Sequence, residues 1–324
     1  MIRNSAKITF ANKTLCFKVL IFRAIIYAIC FTICYFLAKA TIFPILQSQE
    51  VASVFDTLRG IVGNFFTANP NVYDTIMNTV NTELELKVKA VFALVNAKMS
   101  GIVWSVVGVI VVSLVLTFLL GVFDYTVGVL VNDHMSTLQH AGFLSTLFEY
   151  FASACKYGLY RLVALLLYNG VMYSLVLALG IFLLYLIDFF ALPIIVFLMI
   201  LVVVLRQTFA GQTLPNMVCG KMPVVKAFIQ NFKDNNNHDV TERFMSYLIL
   251  SIVMFSVTVL GGISTFYVAL ILIVPFNAVI YSTIKFVDYY NRNGKKYYIT
   301  FDDIVIPKEL RDNDEQLLNK VDLF

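Results

Sequence analysis

Residues 162–205 form a run of 44 residues in which only Asn169 and Asp188 are strongly polar. A helical crossing of a bilayer needs about 20 apolar residues, because hydrocarbon offers no water to an unpaired backbone and a helix satisfies its own amides. The run is about twice that length, so it must cross, turn near residues 185–193 and cross back. Comparable stretches occupy 19–46, 101–122 (continuing past Asp124 toward 131), 244–260 and 266–284. Six spans result, and the chain reads as an all-α polytopic membrane protein.

Charged residues make up 14% of the chain and hydrophobic ones 60%, against about 25% charged in ordinary soluble domains. The missing charge is what a lipid-facing surface requires. Six helices and modest loops use up the 324 residues, so activity is expected in the spans or their short flanks. The net charge of +4 is mild and reads as topology and attraction to anionic lipid, not as nucleic-acid binding. Cys16, Cys30, Cys34, Cys155 and Cys219 fall in predicted helices or on the predicted cytoplasmic side, which argues against a disulfide framework. Cys30 and Cys34 share a helix face and read as small packing residues, with no further ligand nearby to complete a metal site. The run at 20–37 carries Arg23 and lacks a small-residue cleavage site, so it is expected to be a retained first helix.

Lys and Arg excess sets orientation. Arg3, Lys7, Lys13, Lys18 and Arg23 precede or enter the first span without an acid, and Lys285, Arg292, Lys295 and Lys296 follow the last. Both termini are therefore predicted to face the cytoplasm, as an even span count requires, and the expected setting is a bacterial cytoplasmic membrane. The division is a cytoplasmic N-terminus (1–18), a transmembrane domain (19–286) with an exterior helical loop (47–100), and a cytoplasmic tail (287–324). In that loop Ile76, Val80, Leu84, Val88, Val91 and Val95 form an apolar stripe. Val54, Leu58, Val62 and Phe65 form the facing candidate, so the loop is expected to fold as a helical hairpin. Contact with a protein partner or a second copy through the loop or the tail is the rival reading. In the tail, two short strands are predicted around Asp302, followed by a helix opening at Pro307.

Offsetting the chain by 82 residues aligns Arg161 with Arg243 and Val171, Met172, Tyr173, Ser174 with Val253, Met254, Phe255, Ser256. Each of these spans follows an amphipathic segment: Phe143, Leu147, Phe148, Phe151 and Cys155 line one face of the first, and Val224, Phe228 and Phe232 line one face of the second. Arg23 marks a first copy. Three amphipathic-helix-plus-hairpin units are expected, and repeats of this kind build many transporters. Leu214, Pro215, Asn216, Met217, Val218, Cys219, Gly220 and Lys221, followed by Val224, Val225, Lys226, Ala227 and Phe228, resemble a pattern in bacterial six-helix membrane proteins. These are related to the membrane domain of some glycerophosphodiester phosphodiesterases. The resemblance implies a fold and little mechanism, because the membrane domain is not the catalytic part of those enzymes. The tail from Gly294 to Tyr298 and from Ile304 to Pro307 also looks like the ending of Gram-positive-type membrane proteins.

Polar groups inside spans are the default functional candidates. Asn169 and Asn277 are placed to bond across helices, as structural glue or as substrate contacts. Pro275 frees a carbonyl one turn earlier and marks a kink, a gate or a packing feature. Asp124 and Arg206 either pair at the inner end of the bundle or reach separately to headgroups. His134, His140 and His238 fall in loops and at no metal-ligand spacing, and no protease, nucleotide or serine-hydrolase motif occurs. No catalytic residue, metal or cofactor is assigned. The expectation is a non-enzymatic integral membrane protein, transporter-like or a scaffold subunit. The alternative is a lipid-modifying enzyme built around Asp124, His134 and Arg206.

Overall fold

The computed structural model describes residues 1–65, 72–139, 141–233, 237–301 and 303–306, and in it every apolar run becomes a helix. The order is α1 (Ile2–Ala11), α2 (Lys13–Thr41), α3 (Phe43–Leu46), α4 (Gln49–Phe65), α5 (Val72–Asn78), α6 (Glu85–Ala97), α7 (Met99–Thr137) and α8 (Phe143–Glu149). There follow α9 (Phe151–Ile187), α10 (Ala191–Ala210), α11 (Thr213–Val218), α12 (Val224–Lys233), α13 (Asn237–Ser264), α14 (Leu270–Arg292), β1 (Tyr297–Thr300) and β2 (Asp303–Val305). A π-helical stretch, Thr79–Leu84, joins α5 to α6, and a 3-10 turn, Asp188–Phe190, joins α9 to α10. His140 and the tail helix expected from Pro307 lie outside the described residues, as do the side chains of Phe65 and His238.

Among the described residues, six helices are long and apolar enough to cross a membrane: α2, α7, α9, α10, α13 and α14. A short helix precedes three of them, α1 before α2, α8 before α9 and α12 before α13, so the three-unit plan read from the sequence is the order observed. The faces differ in detail. Phe148, Phe151 and Phe232 are exposed, while the buried positions of α12 are Ala227 and Asn231. Gly261 and Gly262, a turn signal in the sequence, stay inside α13. A Cβ on Gly261 would lie 2.5 Å from the tip of the Ile273 side chain, so this glycine leaves room for that side chain. The chain reverses instead through Phe266 and Tyr267, both with positive φ (48° and 70°).

The chain divides into two compact units, Met1–Ile25 with Thr117–Phe324, and Ile26–Leu116. In the first, burial concentrates where the termini meet. Val127, Val129, Val131 and Met135 of α7, Ile284, Phe286 and Val287 of α14, Leu214 of α11, and Tyr297 and Ile299 of β1 are all at most 5% exposed. The apolar windows of α7 and α9, by contrast, are only 11% buried, which suits surfaces left to lipid. The helix α1 packs on α14 and β1, where Asn4 donates to the Tyr297 hydroxyl (2.9 Å) and Lys7 pairs with Asp303 (2.8 Å). Strands β1 and β2 pair antiparallel, as the tail sequence predicts.

In the second unit α4 packs against α6 and the π-helical stretch, giving the expected hairpin. Its α6 stripe holds: Val80, Leu84, Val88, Val91 and Val95 are half-buried. The α4 face is rotated from the predicted one. Val51, Thr57 and Ile61 are buried, whereas Leu58 and Val62 are exposed together with Phe55. The polar position on the inward face of α4 is satisfied there: the Lys87 ammonium crosses to the Thr57 hydroxyl (2.7 Å).

Candidate functional site

Two charged networks are built into the first unit, and both start from an arginine near the beginning of a span. In α9 Arg161 is carried to Asp124 of α7 by a close helix crossing. A Cβ on Gly121 would lie 2.7 Å from the Cα of Gly158, and one on Gly158 would lie 2.9 Å from the Phe118 carbonyl oxygen. Small residues let backbones approach in this way, and one turn further on Arg161 donates to the Leu120 carbonyl (3.2 Å) and pairs with Asp124. Arg23 of α2 reaches the other oxygen of the same carboxylate (2.9 Å). Phe22, Phe123 and Phe143 stack beside it, the Phe22 and Phe143 centroids 4.3 Å apart, tying α8 to the site.

Of the two readings of Asp124 and Arg206, pairing and separate reach, direct pairing is not observed: Arg23 and Arg161 bond the two carboxylate oxygens. Arg206 of α10 instead donates to the Asn169 side-chain carbonyl of α9 (3.4 Å). Lys285 of α14 lies in the field of Asp124, Arg161 and Arg206. Four cations from four helices thus gather around one carboxylate from a fifth, which only Arg23 and Arg161 bond directly, leaving an excess of positive charge.

The second network is fully enclosed. Arg243 of α13 and Asp288 of α14 are 1% and 3% exposed and pair at 3.2 Å. Asp288 also receives Arg292 (3.1 Å) and the Gln212 amide, and Arg243 donates to the Thr208 carbonyl (3.1 Å). Arg243 aligns with Arg161 in the 82-residue repeat, so both repeated arginines end on a carboxylate of another helix, as Arg23 does. A polar cleft of about 570 Å³ opens beside this pair, lined by Gln212, Asn216, Asn231, Glu242, Asp288 and Asn293 among others. The Asn231 amide nitrogen donates to the Phe209 carbonyl, while its buried Oδ1 has no partner among the described residues. Cys219 closes the neighbouring layer, donating to Asn132 (2.9 Å), which also accepts from Tyr290 (2.9 Å). Burial pushes its thiol up to about 12.

The remaining sequence candidates are dispersed. Asn277 donates to Thr258 (3.3 Å) across α13 and α14. Pro275 lines an apolar crevice of about 310 Å³ with Phe17, Leu20 and Met254. His134, predicted in a loop, lies buried in the last turn of α7 and donates to the Ile299 carbonyl (3.2 Å). Asp124, His134 and Arg206 are therefore engaged by separate partners and do not form one reacting group. All five cysteines are free thiols, and no metal-ligand cluster occurs among the described residues. The Arg243–Asp288 pair and the cleft escaped the sequence reading. The 82-residue alignment of Arg161 with Arg243 was the signal that pointed toward them. Comparison of the chain with protein families, with characterised proteins and with solved structures gives no match.

Proposed function

We propose that the chain is a non-enzymatic scaffold of a bacterial cytoplasmic membrane, anchored by six spans and working through the layer where its termini, α11 and α12 meet. One observation carries this reading: the side chains bury one another in that layer, and the polar cleft beside Asp288 and Asn231 opens from it. A rigid platform with an amide-rich cleft suits recognition of a partner's polar segment. The excess of basic residues near both ends supports placing this layer on the cytoplasmic side.

A photo-crosslinking residue at Asn293, on the rim of the cleft, tests the proposal in intact cells. Covalent capture of one protein in stoichiometric yield, lost on Asn231→Leu, is the expected result. Capture of nothing but lipid would overturn it. Transport is the second reading, favoured by the convergence of Arg23, Asp124, Arg161, Arg206 and Lys285 from five spans. Flux of a labelled anion through reconstituted vesicles that disappears on Asp124→Asn would establish that reading in its place.

A further inference from the structure

Between α9 and α10 runs an apolar groove of about 720 Å³, lined by Asn169, Tyr173, Val176, Gly180, Ile195 and Met199 among others. It follows α9 from Asn169 to Leu184, about 22 Å at 1.5 Å per residue. That is longer than one leaflet's share of the ~30 Å hydrocarbon thickness. Glycines shape its floor: nothing lies within 4 Å of a Cβ placed on Gly170, whereas a Cβ on Gly180 would press on Ile195 at 3.3 Å, so α9 and α10 approach closely there. No charged residue is among the groove's lining, and at one end the half-buried Arg206 bonds the Asn169 side-chain carbonyl oxygen.

That end is the headgroup level. Counted from the 3-10 turn at Asp188–Phe190, Asn169 and Arg206 lie about 25 Å along their helices, close to the full depth of the hydrocarbon. Among the described residues, the guanidinium there bonds a neutral amide and no carboxylate. Lys285 and Arg161 add positive charge around it, and the one carboxylate of the cluster is already taken by Arg23 and Arg161. A planar guanidinium favours the fork of a phosphate, and basic pockets between spans hold anionic headgroups.

We propose that this groove is a binding site for an anionic phospholipid, one acyl chain lying along Tyr173, Val176, Gly180 and Ile195 and the phosphodiester seated on Arg206 beside Asn169. The site does not depend on the scaffold reading, since it uses neither the cleft nor the terminal layer. Both halves of the ligand are specified by the chain: a wide apolar slot for the hydrocarbon and an under-neutralised cation for the phosphate. Asn169 orients the guanidinium by accepting its hydrogen bond.

Native mass spectrometry of the full chain, released from detergent with equal amounts of phosphatidylglycerol and phosphatidylethanolamine of matched chains, tests the site. The wild-type chain is expected to retain the anionic lipid over the zwitterionic one by about tenfold, the scale of one charge-assisted hydrogen bond. R206Q is expected to abolish that preference and R206K to keep part of it, while inorganic phosphate does not displace the lipid. G170L, whose Cβ would have no atom within 4 Å and whose side chain would extend into the slot, is expected to reduce retention of both lipids while helical content and particle size stay unchanged. Equal retention of the two lipids by the wild-type chain would overturn the proposal, as would a preference that survives R206Q undiminished.

Discussion

At the scale of single residues, the buried Arg243–Asp288 pair has the largest consequence for stability. Removing one partner of an enclosed ion pair strands the other charge, at a cost of about 3 to 5 kcal/mol. Asp288→Asn is therefore expected to lower the thermal midpoint of the detergent-solubilised protein sharply. Replacing both partners with leucine recovers part of the loss, because the stranded charge is then gone. Asp124→Asn is expected to cost less, since Asp124 is 22% exposed at its side chain. Cys219 supplies a pH test. Burial holds its folded-state thiol up to about 12, above the ordinary value of 9. The folded chain thus holds a proton that the unfolded chain releases as pH rises above about 9. The stabilisation is complete below that pH and is lost progressively toward 12. At neutral pH a thiol reagent is expected to label Cys219 only after denaturant is added, as read by mass of the modified peptide.

At the scale of elements, the crossing of α7 over α9 depends on two glycines. Gly121→Ala places a methyl against the Gly158 backbone, which no side-chain rotation relieves, and overpacking of this kind costs about 1 to 3 kcal/mol. The same unfolding assay is expected to show that loss, together with weakened pairing of Arg161 and Asp124 one turn away. In the α4 and α6 hairpin, Ile61→Asp is expected to unfold the pairing and Leu58→Asp to leave it intact, measured by protease resistance of the 49–97 segment. The sequence made the existence of this hairpin legible through its 3.6-residue periodicity, which α6 obeys. It did not make the α4 face legible, because Thr57 is counted as polar although it lies buried with its hydroxyl bonded to Lys87. The pairing of Asp124 was hidden for a related reason. Depth in the bilayer can be counted along a span, but the rotation that chooses Arg161 over Arg206 is set by the Gly121 and Gly158 contact. The turn at Phe266 and Tyr267 was equally hidden, since two aromatic residues with positive φ contradict ordinary turn chemistry.

At the scale of the whole molecule, span number and order were legible because the bilayer imposes both a length and a composition on every crossing, and the 44-residue run alone requires a hairpin. The location of the tightly packed layer was not legible, because the same valines and leucines serve against lipid and against protein. The division into two units predicts independence. Replacing residues 49–97 with a flexible linker is expected to leave the thermal transition of the first unit within a few degrees of its original value. The loss of α1, which seats Ile8 at 1% exposure, is expected to abolish that transition.

The gradient of burial along α9, α10, α13 and α14 also has a mechanical meaning. Each hairpin is gripped at one end by side-chain packing and ends at the other in exposed aromatics, Tyr185 and Phe190 in one case, Phe266 and Tyr267 in the other. A rod held in this way is a cantilever, whose tip excursions grow with distance from the grip. A change in bilayer thickness or lateral pressure would therefore act with its longest lever arm at those aromatic tips and deliver torque to the roots, where Arg161 meets Asp124 and Arg243 meets Asp288.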